Sequence, residues 1–367
     1  MSWVKVILWN IILTVSLAEV TLRYLYTPIS LKNRIEFNAQ ENEYDPRTIF
    51  LHSQMRYEPY SVTKMYHSEF SIDTSYDSLG FRNPCPFPHN SNGYNIIVGD
   101  SFVYGVGLAD EQTFSCLLVE DGLKYYTIGI PGSDVPKYVD ALKLNITRIR
   151  SVMSEPNSVY FVLFLGNDFE SLVDFGSFVV SEHPEADISQ SSIFNEILIS
   201  VNRFFSKTSL INQSYLFSAI KLLLKSATNY SDKGEYIVTY GNSTFYKTTS
   251  RPPISEIAHS LSKIKSELET KDLNFDGLIL IEDPAAISID RLTRDLSIAG
   301  NFPVSLIDAE FKTLSVLQAC EIENIPCFDT RSLLKLTDYY TFDNHLNSTG
   351  ARKIADFIRS TIDGEGD

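Results

Sequence analysis

Apolar positions along the chain follow two alternating patterns. From residue 94 onward, short unbroken apolar runs appear: Asn95-Ile96-Ile97-Val98, then residues 124–130 (KYYTIGI), 159–165 (VYFVLFL), 277–281 (GLILI) and the shorter 325–328 (IPCF). The first four close on Gly, Pro or acidic residues, as expected of strands buried on both faces. Between the runs, apolar residues return every three or four positions. Residues 134–153 carry Val135, Tyr138, Val139, Leu142, Leu144, Ile146 and Ile149, and residues 254–268 carry Ile254, Ile257, Ala258, Leu261 and Ile264. Residues 306–322 and 351–362 follow the same rule. That spacing predicts helices with one apolar stripe. Strands alternating with helices predict an α/β fold with a largely parallel sheet.

Two stretches depart from the alternation. Residues of about 169–273 form a gap far longer than an ordinary crossover. The gap holds an acidic stretch at 182–187 and an apolar helix-like run at 215–224, so it reads as an insertion with its own helices. Residues 28–90 are polar, rich in Tyr, Pro and Asn, and lack clean periodicity. They read as a connector or small accessory layer, with a turn at Asp77-Ser78-Leu79-Gly80-Phe81-Arg82. The expected division is therefore 1–27, 28–90 and 91–362.

The N-terminal residues 4–26 are mostly apolar, interrupted by Lys5, Asn10, Glu19 and Arg23. Roughly 20 residues span a bilayer, so the segment is just long enough if Lys5 and Arg23 snorkel. A signal anchor is the first reading. A cleaved signal peptide ending near Ser16-Leu17-Ala18 is the second, and an amphipathic or buried helix the third. The basic residues on its two sides do not fix an orientation.

The 367 residues carry a net charge of -15. Clustered Lys and Arg are absent, so nucleic acid is not an expected partner. The four cysteines, Cys85, Cys116, Cys320 and Cys327, form no C-x-x-C pair, which argues against a zinc or redox motif. Cys320 and Cys327 are close enough in sequence to pair in an oxidising compartment. Four free or buried thiols are the equal alternative. Five Asn-x-Ser/Thr sequons, at Asn145, Asn212, Asn229, Asn242 and Asn347, carry no weight at this Asn, Ser and Thr content.

Ligands of open α/β sheets bind beyond the carboxyl ends of the strands. Three of the apolar runs end in residues of chemical interest: Gly99-Asp100-Ser101, Gly129-Ile130-Pro131-Gly132 and Gly166-Asn167-Asp168. A fourth group, Asp343-Asn344-His345, precedes the last helix. A serine hydroxyl needs a base to become a nucleophile. His345, two residues from a carboxylate, is the expected base for Ser101, and Asp343 would orient and stabilise the imidazolium. The Ser101 and Gly132 backbone N–H groups and the Asn167 amide are candidate oxyanion donors. Asp100 and Asp168 read as structural anchors of their turns. No metal motif or cofactor motif is present. The residue two after Ser101 is Val103, so the Gly-x-Ser-x-Gly elbow of α/β-hydrolases is absent.

The order of these blocks resembles the SGNH (GDSL-type) hydrolase superfamily over about residues 91–362. The resemblance implies a three-layer α/β/α sandwich of flavodoxin-like type, here with a long helical insertion and an N-terminal hydrophobic helix. It implies Ser101 as nucleophile, Gly132 and Asn167 completing an oxyanion hole with the Ser101 amide, and His345 as base with Asp343. The chain departs from the family's Asp-x-x-His by having Asp-x-His, and from Gly-Asp-Ser-Leu by having Phe102. The contraction looks like branches that handle acetylated polysaccharides. The N-terminal segment, the Leu79-to-Arg82 turn and the insertion look like membrane-anchored bacterial members, and that likeness implies a membrane-anchored catalytic domain exported to the periplasmic or extracytoplasmic side, with secretion after cleavage as the alternative. The function expected is an esterase acting on acyl, above all acetyl, esters of an envelope carbohydrate or small molecule. An O-acyltransferase of an envelope polysaccharide is the alternative, and a catalytically inactive binding protein of the same fold a third.

Overall fold

A computed structural model describes residues 10, 13–21, 49–67, 69–86, 93–120, 122–177, 231–232, 236–238, 244–300, 302–341 and 343–362. The chain divides into two units. The first comprises Met1–Glu43, Tyr66–Ser68 and Val180–Thr228; the second comprises Tyr44–Met65, Glu69–Val179 and Asn229–Asp367. In the first unit, residues 13–21 are helical and expose Leu13, Val15, Leu17 and Val20. Among the described residues, no helix is long and apolar enough to cross a membrane. Most of the 4–26 segment, the acidic stretch at 182–187 and the helix-like run at 215–224 lie outside the described residues.

The second unit holds the predicted alternation. Ahead of it, β1 (Phe50–Leu51) pairs with β2 (Arg56–Tyr57), and β3 (Val62–Tyr66) with β4 (Ser71–Ser75). The further strands in chain order are β5 (Asn95–Gly99), β6 (Tyr125–Gly129), β7 (Ser158–Phe164), β8 (Ser231–Asp232), β9 (Tyr236–Val238), β10 (Thr244–Lys247), β11 (Phe275–Ile281), β12 (Ile307–Asp308) and β13 (Cys327–Asp329). The helices are α1 (Ser101–Tyr104), α2 (Phe114–Glu120), α3 (Val135–Met153), α4 (Asp168–Ser177), α5 (Ile254–Glu269), α6 (Pro284–Ile287), α7 (Ile289–Gly300), α8 (Phe311–Glu323) and α9 (Ser348–Phe357).

Five parallel strands form the main sheet in the order β13-β11-β7-β5-β6. Counted along the chain from the β6 edge, this is 2-1-3-4-5, a doubly wound order. Side chains alternate between the two faces, as the two-residue strand period requires. Ile96, Val98, Phe161 and Leu163 pack against α3, α5 and α8. Ile97, Tyr160, Val162 and Phe164 pack against α2 and α9. Both faces are therefore covered, which explains why the strands read as unbroken apolar runs.

Three boundaries differ from the sequence-based expectation. The helix expected from 306 begins at Phe311, because β12 is drawn into an antiparallel ladder with β10 (Tyr246 opposite Asp308, Lys247 opposite Ile307). The last helix starts earlier, at Ser348, where the Asn347 carboxamide oxygen accepts from Thr349 N and Gly350 N and caps it. The described part of the insertion contains antiparallel strands, β8 to β10, besides α4 and α5, whereas the expectation named only helices. All four cysteines are paired: Cys85 with Cys116 and Cys320 with Cys327, at Cα separations of 5.1 and 6.2 Å. The first disulfide ties the stretch before β5 to α2, and sequence spacing gave no sign of it. Residues 49–65 and 69–86 belong to the same unit as the main sheet.

Candidate active site

The strand order changes direction between β5 and β7, since the chain leaves β5 toward β6 on one side and returns to β7 on the other. Such a switch point opens a crevice at the carboxyl ends of the two strands. Asp100 and Ser101 follow β5, and Asn167 and Asp168 follow β7. The short helix α1 lies directly on the sheet. A Cβ at Gly129 would stand 2.2 Å from Tyr104 N, so only glycine admits that approach.

Asp100 organises this edge. It is fully buried. Its Oδ1 accepts from Phe102 N at 2.8 Å and caps α1. Its Oδ2 accepts from Asn167 Nδ2 at 3.2 Å and from Ser101 Oγ at 3.4 Å. One carboxylate thus ties the expected nucleophile to the expected oxyanion amide. Burial raises the Asp100 pKa, opposed by the Phe102 N–H, the His345 charge and its other donors. Asp168 is also fully buried, and its Oδ2 accepts from Tyr138 Oη at 2.8 Å and Phe164 N at 2.9 Å. Burial and then the nearby Asp100 hold its pKa well above the carboxylate range.

As the first residue of α1, Ser101 has no intrahelical acceptor for its N–H. Asn167 is exposed and spends one amide donor on Asp100. The amide has a second N–H to offer. Gly132 sits in the loop after β6, exposed, with φ +72°, and nothing lies within 4 Å of a Cβ built there. Glycine is needed at 132 for its backbone conformation and not for space. The loop lies beside β5 because Gly99 pairs with Gly129 and Ile130 N donates to Gly99 O at 3.0 Å.

His345 and Asp343 form a hydrogen-bonded pair through His345 Nδ1 and Asp343 Oδ1. The same Oδ1 accepts from His345 N at 3.0 Å. The contracted spacing therefore folds the carboxylate back onto the ring and backbone two residues on. A donor role for Nδ1 leaves Nε2 as the base. Burial lowers the imidazole pKa; the charge and hydrogen bond of Asp343 and the charge of Asp100 outweigh it, so the pKa is raised. The ring lies against Phe102, centroids 5.0 Å apart, which brings the base to the helix carrying Ser101. Ser101 Oγ itself points its hydrogen bond at Asp100 and not at His345, and catalytic hydrogen bonds commonly tighten only with substrate.

Residues outside the four blocks complete the frame. Arg82, read from sequence only as part of a turn, is fully buried beside α1. It donates to the carbonyls of Tyr104 (3.2 Å), Gly105 (2.6 Å) and Leu108 (2.6 Å) and to Asp110 Oδ1 (3.0 Å). Asp77 accepts from Leu79 N, Phe81 N and Tyr126 Oη and fixes the turn that delivers Arg82. Among the described residues, no group of three His, Cys, Asp or Glu side chains is placed to hold a metal ion.

No protein-family model matches the chain. No curated protein matches it. Solved structures do match. One crystal structure shares 10% identity, covers 75% of this chain and 99% of its own, and superposes with a TM-score of 0.35. At that level of likeness it carries no argument about fold or function.

Proposed function

We propose that this chain is a serine-dependent esterase of the SGNH type, with Ser101 as nucleophile and His345, oriented by Asp343, as general base. The observation that carries the reading is the convergence at one switch point. Ser101 and Asn167 share the Asp100 carboxylate, and the Asp343-bound imidazole packs on Phe102 of the same helix. The 2-1-3-4-5 strand order is that of the flavodoxin-like sandwich which the resemblance implies.

In the reaction, Ser101 Oγ attacks the ester carbonyl carbon while His345 Nε2 takes the hydroxyl proton. The oxyanion of the tetrahedral intermediate accepts from the Ser101 and Gly132 N–H groups and the second Asn167 N–H. His345 returns the proton to the leaving alcohol, and an acyl ester remains on Ser101. Water, deprotonated by the same ring, then attacks that ester; the ring passes the proton to Ser101 Oγ as the acyl C–O bond breaks, and the acid is released. The substrate class is an acylated, above all acetylated, carbohydrate or small ester. Exported, membrane-attached placement is supported by the two disulfides, which persist in oxidising compartments, and by the exposed Leu13, Val15, Leu17 and Val20.

The test is release of p-nitrophenol from p-nitrophenyl acetate by the full chain. Ser101→Ala should abolish it. Undiminished turnover in that variant removes Ser101 as nucleophile. Adding an acetyl-accepting polysaccharide separates the two fates of the acyl group. Transfer well above the water rate would make the protein an O-acyltransferase acting through the same acyl-enzyme.

A further inference from the structure

We infer that Glu69 is a positioning residue for the Asp343–His345 pair, an inference that rests on the esterase reading above. Glu69 lies in the accessory layer, far from the loop in sequence, yet its carboxylate clamps that loop by its backbone. Oε1 accepts from Thr341 N at 2.7 Å and Oε2 from Asp343 N at 3.0 Å. Both are charge-assisted bonds, the stronger kind. Two acceptors on one rigid carboxylate hold the Thr341 and Asp343 N–H groups at a fixed separation.

The contracted Asp-x-His spacing makes this clamp consequential. Asp343 Oδ1 must meet both the ring and the backbone N–H of a residue only two positions on. A small shift of the Asp343 backbone therefore moves the acceptor off Nδ1, and the ring loses its orientation. The adjacent residue extends the brace. Phe70 packs on Tyr340, ring centroids 5.2 Å apart, and Tyr340 Oη donates to Gly107 O at 2.6 Å. That carbonyl lies just beyond the helix that carries Ser101. On the other side, Arg291 donates to Asn344 Oδ1 at 2.5 Å. Tyr340 thus joins the His345 loop to the segment after α1, Phe70 packs on Tyr340, and Glu69 holds the same loop at the residue whose side chain orients the base.

The inference predicts a loss in turnover without a loss in substrate binding. With p-nitrophenyl acetate, Glu69→Ala in the full chain should lower kcat by about 10²-fold, the scale set by a misplaced catalytic group, with KM unchanged. Glu69→Gln keeps one acceptor oxygen and should fall between the two. In an Asp343→Asn background, Glu69→Ala should cost little more, because its effect runs through Asp343. Multiplying losses in the double variant, or a Glu69→Gln variant with wild-type kcat, would overturn it. If Glu69→Ala does not fold, the Gln variant alone and combined with Asp343→Asn reads the same coupling. The reading beneath fails differently: turnover would then persist in Ser101→Ala, whatever Glu69 does.

Discussion

The acids at the sheet's carboxyl edge and the acid in the loop before α9 sit in opposite surroundings. Asp100 and Asp168 are fully buried, and Glu282, after β11, nearly so. Burial raises all three pKa values, Glu282 to about 7. Most of their oxygens accept from backbone N–H groups, side-chain hydroxyls and the Asn167 amide, which hold the turns in place. Asp343 instead keeps 19% of its side chain exposed beside the His345 ring. An acid that must stabilise a transient imidazolium needs contact with the ring and enough polarity to stay ionised. In the proposed mechanism the sheet edge supplies shape, and the loop supplies the charge that responds during the reaction. The edge is rigid through packing, whereas the loop is held by side chains reaching in from distant parts of the chain.

The largest effect should come from the loop. His345→Ala removes the base and should lower kcat/KM for p-nitrophenyl acetate by about 10⁴-fold or more. Asp343→Asn keeps an acceptor but loses the charge and should cost less. The pH dependence sharpens this. The proposed mechanism needs neutral His345, whose pKa is raised against burial chiefly by Asp343. The acid limb of the wild-type profile should therefore lie above the ordinary histidine value. Asp343→Asn removes the raising interaction, so the limb should move to lower pH. An unmoved limb would show that Asp343 does not govern the ring, and the contrast between loop and edge would lose its basis.

Next in size is a purely structural effect beside the nucleophile helix. Arg82→Met removes the buried cation that donates to three backbone carbonyls and pairs with Asp110, leaving Asp110 its Ser75 donors and Gly105 O its Leu108 donor. Breaking a buried charged network of this kind costs about 3–5 kcal/mol, readable as a fall in the urea midpoint. A loss within 1 kcal/mol would mean that packing alone holds the helix on the sheet.

Arg82 also marks where sequence reading stops. Ser101, Asn167 and their glycines were legible because each follows its own apolar strand, and strand ends are local patterns. Asp343 and His345 were legible as a pair because they are neighbours. The partners of Arg82 lie 22 to 28 residues away, and those of Glu69 lie 272 and 274 away. Folding sets such meetings, and neither residue type carries a sign of them. The pairing of Cys85 with Cys116 and the recruitment of 307–308 into β12 were hidden for the same reason. Asp100 was read as pinning its own turn; its bond to Asn167, 67 residues on, needed the switch-point topology.

The smallest of these effects tests whether the sheet-edge acids are scaffolding. Glu282 hydrogen-bonds Thr313 Oγ1 and accepts from Asp283 N at 3.0 Å. Burial is the main cause of its rise from 4.5 to about 7. A folded-state pKa above the unfolded value means that the folded protein holds this proton more tightly. The contribution is full below about pH 4.5 and is lost as pH rises through 7, amounting to about 3 kcal/mol. Glu282→Gln has no proton to lose. Its urea midpoint should change less than the wild type's between pH 5 and pH 7.5, with the variant relatively more stable at the higher pH. Parallel curves would mean that Glu282 is ionised at no cost within the sheet edge, and burial would no longer separate the two kinds of acid.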